Sequence, residues 1–345
     1  MPGTVGPRRT PTIRDVARLA GVSRSTVSNV VRGEGRVSTG TRRRVEEAIA
    51  KLGYRPNVLA RDLARRRTAL VGVLVSGLAD PFSAALLERI ERAATGRGYD
   101  LLVAATGARA GVERTRLEHL VRYRVTGVLL LASSGHPAVA RELRTQELPA
   151  VSVSCRGPVG DAVVVDDERG GALAAEHLLG LGHRRIAYVA GPVEAGTDRA
   201  RLAGLRRRLA ARGLEPLAVL RWRVDARSRP TRATVARLAA LLEAPGAPTA
   251  AFCSNDAAAV GVLEAADRRG VPVPGQLSVM GFDDIPLAAL ARISLTTVAQ
   301  PLAELARLGI DRLIDRIEGR RDGPPEIHLL EPRLVVRGTT GPPPA

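Results

Sequence analysis

The sequence is poor in aromatic residues, lysine and cysteine, and these scarcities narrow the class of protein. Aromatic residues make up 2% of the 345, so the core must come largely from alanine, leucine and valine. Only Cys155 and Cys253 are present, which excludes a disulfide-rich scaffold and predicts no metal site. No apolar run approaches the ~18 residues of a membrane span, and residues 1–11 lack the apolar stretch of a secretory signal. We therefore expect a cytoplasmic protein without membrane contact.

Positive charge is concentrated near the N-terminus. Residues 1–67 contain 16 of the 52 basic residues and 5 of the 35 acidic ones, which gives this segment +11 of the total net charge of +17. Such a segment is typical of a protein that binds a polyanion. A membrane surface would also attract it, but the segment lacks the broad apolar face that interfacial insertion requires. We therefore predict nucleic acid as the partner.

The basic segment has the pattern of three short helices. Apolar residues recur at helical spacing up to Gly21, which predicts the end of a first helix. Ser23 is placed to cap a second helix from about residue 24 to residue 31, and Ser38 or Thr39 to cap a third. A helix, a tight turn and a second helix within about twenty residues predict a helix-turn-helix, whose second helix enters the major groove of DNA.

The second predicted helix has a face too polar to be buried. Arginine can bond guanine edges, asparagine can bond adenine edges, and serine or threonine suits phosphates. The alternative is the solvated face of a small helical bundle, but the local excess of positive charge favours DNA. The polar residues concerned are Arg24, Ser25, Thr26, Ser28 and Asn29.

Strand and helix patterns alternate after residue 68. The first strand is predicted at Leu70–Val75 and the last at about Leu277–Met280, in two α/β series. This alternation predicts parallel sheets with helices on both faces, and the two series indicate two lobes. Ligands of such sheets bind beyond the carboxyl ends of the strands. His177 and His183 are predicted to lie at the surface.

Motifs of common enzymes are missing: the sequence contains no GxSxG, no GxxxxGK[ST] and no HExxH. Asp166-Asp167 and Asp283-Asp284 could form catalytic or metal-binding pairs, but the ligand spacing of a metal site is missing. A small-molecule pocket is the better interpretation of polar residues at strand ends. We therefore predict neither enzymatic activity nor a cofactor, and we expect Asp256 and Asp284 to cap helices.

Long ordered segments of the chain resemble the LacI/GalR family of bacterial regulators. The headpiece segments are TIRDVARLAGVSRSTVSNVV, VSTGTRRRVEEAIAKLGYRPN and LARDLA. Core segments such as RIAYVAGP, SNDAAAVG, SVMGFDD and LTTVAQP extend the resemblance to about residue 337. The resemblance implies an N-terminal all-α helix-turn-helix headpiece, followed by an α/β core like that of periplasmic binding proteins, with two parallel-sheet lobes.

The resemblance also implies a domain plan in which the core chain crosses between its lobes three times. The expected parts are a disordered arm (1–11), the helix-turn-helix domain (12–55), a hinge helix and linker (56–67), the core (68–338) and a loose tail (339–345). Lobe 1 is expected at about 69–166 plus 299–325, and lobe 2 at about 167–298 plus 326–338.

For the DNA site, the resemblance implies that Arg24, Ser25 and Asn29 read bases. Thr26, Ser28 and Arg36 are expected to contact the backbone, and Asn57 to cap the hinge helix. Leu63 matches a leucine that wedges into the minor groove when two hinge helices pair; packing against the headpiece is its alternative role.

For the core, the resemblance implies an effector pocket between the lobes. Its expected residues are Phe82, Ser83, Ser154, Arg201, Asn255, Asp283 and Gln300. Ser83 and Ser154 stand where many family members have an aromatic residue and an aspartate. Sugars commonly stack on aromatic rings, so these departures leave three alternatives: a sugar effector, another small polar metabolite, or no effector. The predicted function is a homodimeric repressor on a palindromic operator, controlled by a sugar or similar polar metabolite. Alternatives are a solute-binding protein and an architectural DNA-binding protein with an inert core.

Overall fold

The structure is a computed structural model that describes residues 11–32, 35–54, 68–107, 110–131, 137–157, 160–191, 196–223 and 231–344. The chain divides into two compact units, residues 1–68 and 69–345. The predicted arm, except Pro11, and the predicted hinge helix and linker with Asn57 and Leu63 lie outside the described residues.

The first unit is the three-helix headpiece. Its helices are α1 (Ile13–Ala20), α2 (Arg24–Arg32) and α3 (Thr39–Leu52). The predicted signals are confirmed: Gly21 ends α1 at φ 65°, and the Ser23 and Ser38 hydroxyls accept hydrogen bonds from the amides of Thr26 and Thr41. Val16, Val27 and Val45, one from each helix, are fully buried against one another, so the three helices share a single small core.

The second unit alternates strand and helix, as predicted. Its described strands are β1 (Leu70–Val75), β2 (Asp100–Ala105), β3 (Gly127–Leu131), β4 (Ala150–Val153), β5 (Asp161–Val165), β6 (Ile186–Ala190), β7 (Ala218–Arg221), β8 (Ala250–Cys253), β9 (Ser278–Asp283), β10 (Thr296–Ala299), β11 (Ile327–Leu330) and β12 (Arg333–Val335). Its described α-helices are α4 (Pro81–Gly96), α5 (Ala110–Arg122), α6 (Pro137–Thr145), α7 (Asp167–Gly180), α8 (Gly196–Ala210), α9 (Arg232–Glu243), α10 (Asp256–Asp267) and α11 (Leu302–Ile317).

The strands form two six-stranded sheets. The first has the order β11-β5-β4-β3-β1-β2 and the second β12-β10-β9-β8-β6-β7. All pairs are parallel except β12, which runs antiparallel to β10. Buried runs such as β3 and β9 are covered on both faces, which is the usual environment of parallel strands. Each sheet is the centre of one lobe.

The chain crosses between the lobes at three places, but the third lies later than expected. The crossings fall between β5 and α7, between β10 and α11, and between β11 and β12. The expected start of lobe 2 at residue 326 is wrong, because Ile327–Leu330 pairs with Asp161–Val165 of the first sheet. The chain therefore leaves lobe 1 only after Leu330.

The prediction of a loose C-terminal tail is also wrong. Thr339 is buried, its carbonyl accepts from Val279 N at 2.8 Å, and its Oγ1 donates to Val279 O at 2.7 Å. Gly341 is bonded through both its amide and its carbonyl to Ser278 Oγ. These backbone groups and hydroxyls satisfy polar groups at the amino end of the second sheet, a role that composition alone does not reveal.

Four of the eight aromatic side chains lie in lobe 2. Tyr188 and Phe252 are fully buried, with ring centroids 5.5 Å apart in an edge-to-face arrangement, and Phe282 is buried beside them. Trp222 packs on Gly261, where an added Cβ would lie 2.1 Å from the indole ring. Large rings supply much of the buried area of a core otherwise made of small residues.

Candidate functional site

Helix α2 buries one face in the headpiece core, and its opposite face is exposed to solvent. Val27 and Val30 lie in the headpiece core. The polar residues predicted for DNA contact point away from that core. Arg24, Ser25 and Arg36 are exposed, and Thr26, Ser28 and Asn29 are half-buried. The Ser23 cap also bonds the hydroxyls of Ser25 and Thr26, at 2.7 and 2.8 Å, so the start of the helix is ordered by side chains as well as by backbone.

Gly35, which follows α2 in the chain, lies close to Asn29. Gly35 has a φ of 79°, and a Cβ placed there would lie 3.4 Å from Asn29 Nδ2. Glycine suits this left-handed backbone, which other residues adopt only with strain.

Arg201 of α8 is the centre of a buried polar cluster in the core. Its Nε donates to Asp167 Oδ1 at 2.8 Å, its Nη1 donates to the carbonyl of Ser254 and lies 3.7 Å from Asp283 Oδ1, and its Cζ lies 3.6 Å from the Phe282 ring centroid. The Arg201 side chain is 9% exposed. Its Nη2 has no hydrogen-bond partner among the described residues.

A chain of hydrogen bonds joins this cluster to the other lobe. Gln300, at the second crossing, donates from Nε2 to Asp283 Oδ1 at 2.7 Å. Ser154, which follows β4 of the first sheet at φ 60°, donates from Oγ to Gln300 Oε1 at 3.5 Å. Asp283, at the end of β9, has the unusual φ of 116°. The structure thus brings four predicted pocket residues, Ser154, Arg201, Asp283 and Gln300, together where the strands of both sheets end.

Burial dominates the electrostatics of this cluster. It raises the pKa of Asp283 well above its usual value; the Arg201 guanidinium acts in the opposite direction, and the negative charge of Asp256 adds to the rise. Burial likewise raises the pKa of Asp167 despite the ion pair with Arg201. For Arg201, burial lowers the pKa, but Asp167 and Asp283 outweigh it and the pKa rises. The guanidinium is therefore charged between two carboxyl groups that are costly to ionise.

The expectation that Asp256 and Asp284 cap helices is wrong. Asp256 does not cap a helix: Asn255 caps α10 by accepting from Ala258 N at 2.8 Å, while fully buried Asp256 accepts from Ile285 N and Thr297 Oγ1. Asp284 does not cap one either: Ile285 occupies the cap position of the short 3-10 helix Pro286–Ala289, and Asp284 Oδ1 accepts from Arg337 Nη2 at 2.7 Å. Asn255 has its Oδ1 engaged in the cap, so its amide group is the part left for a ligand.

Phe82 and Ser83 lie at the start of α4 and are both buried. Phe82 packs in the main hydrophobic core, and Ser83 donates from its amide and Oγ to Asp80 Oδ2, at 3.0 and 2.6 Å. Neither side chain bonds to the Arg201 cluster. Their contact with an effector stays a prediction.

Two members of the cluster were not predicted. Asp167 holds Arg201 from the first residue of α7, directly after the first crossing. Ser254 contributes its carbonyl, and its own buried Oγ has no partner among the described residues. The sequence VVVDD, which ends at Asp167, could have pointed to a site residue at this strand end. It does not show which of the two aspartates, Asp166 or Asp167, turns inward.

No group of three or more metal-binding side chains occurs within the described ranges. In the same part of the chain, every helix is too short or too polar to cross a lipid bilayer.

A helix-turn-helix headpiece joined to a two-lobed core with a polar cluster between the lobes defines a DNA-binding regulator that responds to a small molecule. Residues 12–57 match the bacterial regulatory proteins of the lacI family, and residues 175–340 match the periplasmic binding protein-like domain. The chain is 37% identical to the ribose operon repressor of Escherichia coli (strain K12) over 310 residues, 89% of this chain and 93% of that protein. The chain belongs to the lacI family of bacterial transcriptional regulators.

Solved structures agree with this assignment. The lac repressor dimer bound to operator and the anti-inducer ONPF has a TM-score of 0.84 and 31% identity, covering 96% of this chain and 100% of that one. The complex of the transcriptional regulator CelR with cellobiose has a TM-score of 0.69 and 33% identity, covering 95% and 99%. The predicted fold is confirmed: a helix-turn-helix headpiece followed by a periplasmic-binding-protein-like core.

Proposed function

We propose that this chain represses transcription as a homodimer on a palindromic operator in the cytoplasm. A sugar or similar neutral, hydroxyl-rich effector in the interlobe cleft controls its affinity for DNA, and no reaction is catalysed. The observation that carries the proposal is the polar cluster of Ser154, Arg201, Asp283 and Gln300, which spans both lobes. Two hydrogen bonds join Ser154, Gln300 and Asp283, and an ion pair joins Asp283 to Arg201. The family relationship and the polar face of α2 support the DNA-binding half.

Exposed Arg24 and half-buried Asn29 lie on one helix whose valines face inward. A helix in the major groove can bring such side chains to base edges, since arginine pairs with guanine and asparagine with adenine. Ser25 joins them in reading bases. Thr26, Ser28 and Arg36 are proposed to contact the DNA backbone, which fixes register without selecting sequence.

Arg24→Ala and Asn29→Ala should each relax the base preference at one operator position, at a cost of about 1–3 kcal/mol of discrimination. Binding of each variant to a library of operator substitutions, at fixed salt, measures this preference. The control is Arg43→Ala, because Arg43 is exposed and already paired with Glu47 on α3. A uniform loss of affinity across all sequences would contradict base reading.

The charges of the cluster favour a neutral effector. Arg201 already faces two carboxyl groups, Asp167 and Asp283, and the charge of Asp80 also acts on Asp283. A ligand carboxylate would meet this acidic surround, whereas a hydroxyl can accept from Arg201 Nη2 and donate to Asp283. The names of similar proteins point the same way, since they include a ribose operon repressor and a cellobiose complex.

A thermal-shift screen of pentoses, hexoses, disaccharides and sugar acids tests the effector class. A neutral sugar at 100 times its Kd should stabilise the protein by about 2.7 kcal/mol, a shift on the order of 5 °C. Asp283→Ala should abolish the shift, and Asp267→Ala, at the exposed end of α10, should keep it. A shift with sugar acids alone, or one that survives Asp283→Ala, would refute the proposed pocket.

The effector is proposed to act on DNA binding through the hinge segment 56–67. Asn57 would cap the hinge helix and Leu63 would enter the minor groove, as in the resembling family. A ligand in the cleft can change DNA affinity only by favouring one lobe arrangement over another. The order of the three lobe crossings, two of which adjoin the Arg201 cluster, supports this route.

A further inference from the structure

The turn that carries Asp283 has a strained backbone. Asp283 ends β9 with a φ of 116°, and Asp284 follows it with a φ of 58°. Residues with a side chain rarely take these values, and they persist only where the surrounding structure holds them. The place of the Asp283 carboxyl beside Gln300 and Arg201 therefore depends on the contacts that hold this turn.

Asp256, the first residue of α10, holds the turn from the interior of lobe 2. It is fully buried; its Oδ2 accepts from Ile285 N at 2.9 Å, and its Oδ1 accepts from Thr297 Oγ1 of β10 at 2.6 Å. The first bond fixes the backbone directly after the two strained residues, and the second fixes the carboxyl to a neighbouring strand. Burial raises the pKa of Asp256 to about 6. A carboxyl is therefore costly at this position, and local costs of this kind are expected at functional sites.

Strand β9 leaves room for this carboxyl. A Cβ on Gly281 would lie 2.1 Å from Asp256 Oδ1 and 3.2 Å from Asp256 Cα. Because glycine lacks a Cβ, the carboxyl can lie against β9 and within reach of the Ile285 amide. A larger residue at position 281 would have to displace either the strand or the carboxyl.

Two further contacts act on other parts of the turn. Gln300 N donates to Asp283 O at 3.3 Å, and Asp284 Oδ1 accepts from Arg337 Nη2 at 2.7 Å. The first engages the backbone of Asp283, and the second engages the side chain of Asp284. The next amide in the chain is the one that Asp256 holds, so its carboxylate restrains a part of the turn that neither of these contacts reaches.

The C-terminal segment that supplies Arg337 is itself anchored in lobe 2. Arg337 Nη1 donates to Leu295 O at 2.9 Å. His183 is 1% exposed, contrary to the expectation that it lies at the surface, and its Nε2 lies 2.9 Å from Gly341 O of the same segment. The support from Arg337 therefore has anchors of its own, and a variant of Asp256 leaves them in place.

We propose that Asp256 is a positioning residue for the effector: its carboxylate fixes the amide of Ile285 and thereby aims Asp283 at the polar cluster. The inference rests on the proposed function, in which Asp283 binds a hydroxyl group of a neutral sugar. Without the bond to the amide, the turn relaxes towards an ordinary backbone, and Asp283 moves away from Gln300. Sugar affinity then falls through Asp283, although Asp256 itself does not touch the sugar.

The two bonds of this carboxylate separate the positioning role from core packing. Asp256→Ala removes both bonds, whereas Thr297→Val removes only the bond to β10 and keeps the shape of the side chain. Asp256→Asn keeps an oxygen for the Ile285 amide, because the Thr297 hydroxyl can turn to accept from the new NH₂ group. Asp256→Ala and Thr297→Val should both unfold at a lower urea concentration than wild type, but only Asp256→Ala should release the turn.

Titration calorimetry of the full chain with D-ribose measures the effect on the site. Asp256→Ala should raise the Kd about tenfold or more, the equivalent of one hydrogen bond to a charged group. Asp256→Asn and Thr297→Val should stay within about threefold of the wild-type Kd. A purely structural residue would lower the stability of Asp256→Ala and leave the Kd of the folded variant unchanged, and that result would overturn the proposal.

Hydrogen exchange without sugar tests the turn independently of the proposed effector. The Ile285 amide should be protected in wild type, and its exchange should speed up about tenfold or more in Asp256→Ala, relative to the amides of β8, but not in Thr297→Val. An exposed Ile285 amide in wild type refutes the positioning role by itself, even if Asp256→Ala does not fold. Equal protection in folded Asp256→Ala also refutes it. If the turn opens as expected but wild type binds no D-ribose, the positioning of Asp283 is supported, and the failure lies with the proposed effector.

Discussion

Replacing Arg201 by leucine is expected to destabilise lobe 2 by about 3–5 kcal/mol, because the change leaves buried carboxyl groups without their counter-charge. Asp167 loses the donor at 2.8 Å, Asp283 loses its positive neighbour, and the carbonyl of Ser254 loses a hydrogen bond. The stacking of the guanidinium on Phe282 is lost as well. The leucine retains much of the buried volume, so the cost comes mainly from unpaired polar groups rather than from a cavity.

Urea unfolding of the full chain measures this loss, and the single tryptophan is a convenient probe because Trp222 is buried in lobe 2. The matched control is Arg207→Ala on the same helix, whose side chain is 58% exposed and pairs with exposed Glu168. An exposed pair contributes at most about 1 kcal/mol. Equal costs for the two variants would show that the Arg201 cluster is not a buried network.

The destabilisation caused by Arg201→Leu is expected to depend on pH. The pKa values of Asp167 and Asp283 are raised by burial, so these groups accept protons more readily than ordinary carboxyls as the pH falls. Without Arg201, protonation removes the uncompensated charge. The difference in unfolding free energy between wild type and Arg201→Leu should therefore be smaller at pH 5 than at pH 8, and a difference that grows on acidification would contradict the assigned charges.

Local signals explain why much of the fold could be predicted. Gly21, Ser23 and Ser38 delimit the headpiece helices through their own backbone preferences, and β1 is a continuous apolar run. The short strands β5, β7, β10, β11 and β12 and the helix α11 did not emerge from the pattern alone. β7 and β11 are edge strands with exposed residues, so they lack the buried run that marks a central strand.

Individual residues of the candidate site could be proposed from the sequence, but the contacts that join them could not. Strand ends identify Asn255 and Asp283, whereas the partners of Arg201 are separated from it by 34 and 53 residues and one of them is a backbone carbonyl. Two adjacent polar residues also have different roles: Asn255 caps α10, whereas the side chain of Asp256 turns into the core. Tertiary packing fixes that choice, and neither side chain signals it in the sequence.

The contact between α7 and α8, which positions Arg201 against Asp167, depends on two glycines. A Cβ on Gly204 of α8 would lie 1.9 Å from Glu168 O, and a Cβ on Gly171 of α7 would lie 1.9 Å from Arg201 O. Both obstructing atoms belong to the backbone, so no side-chain rotation can relieve the clash. The helices can accept a methyl group only by moving apart.

Gly204→Ala is therefore expected to cost about 3 kcal/mol, at the upper end of ordinary overpacking, despite the better helix propensity of alanine. Its matched control is Gly180→Ala at the end of α7, where an added Cβ meets no atom within 4 Å; that change should be neutral or stabilise by up to about 1 kcal/mol. Urea unfolding followed through Trp222 gives both values. Because Gly204 is one helical turn from Arg201, the same variant should weaken the thermal shift with the effector, whereas Gly180→Ala should not. If both alanine variants were equally stable and kept the full ligand shift, the close helix contact would not be what holds Arg201 in the cluster.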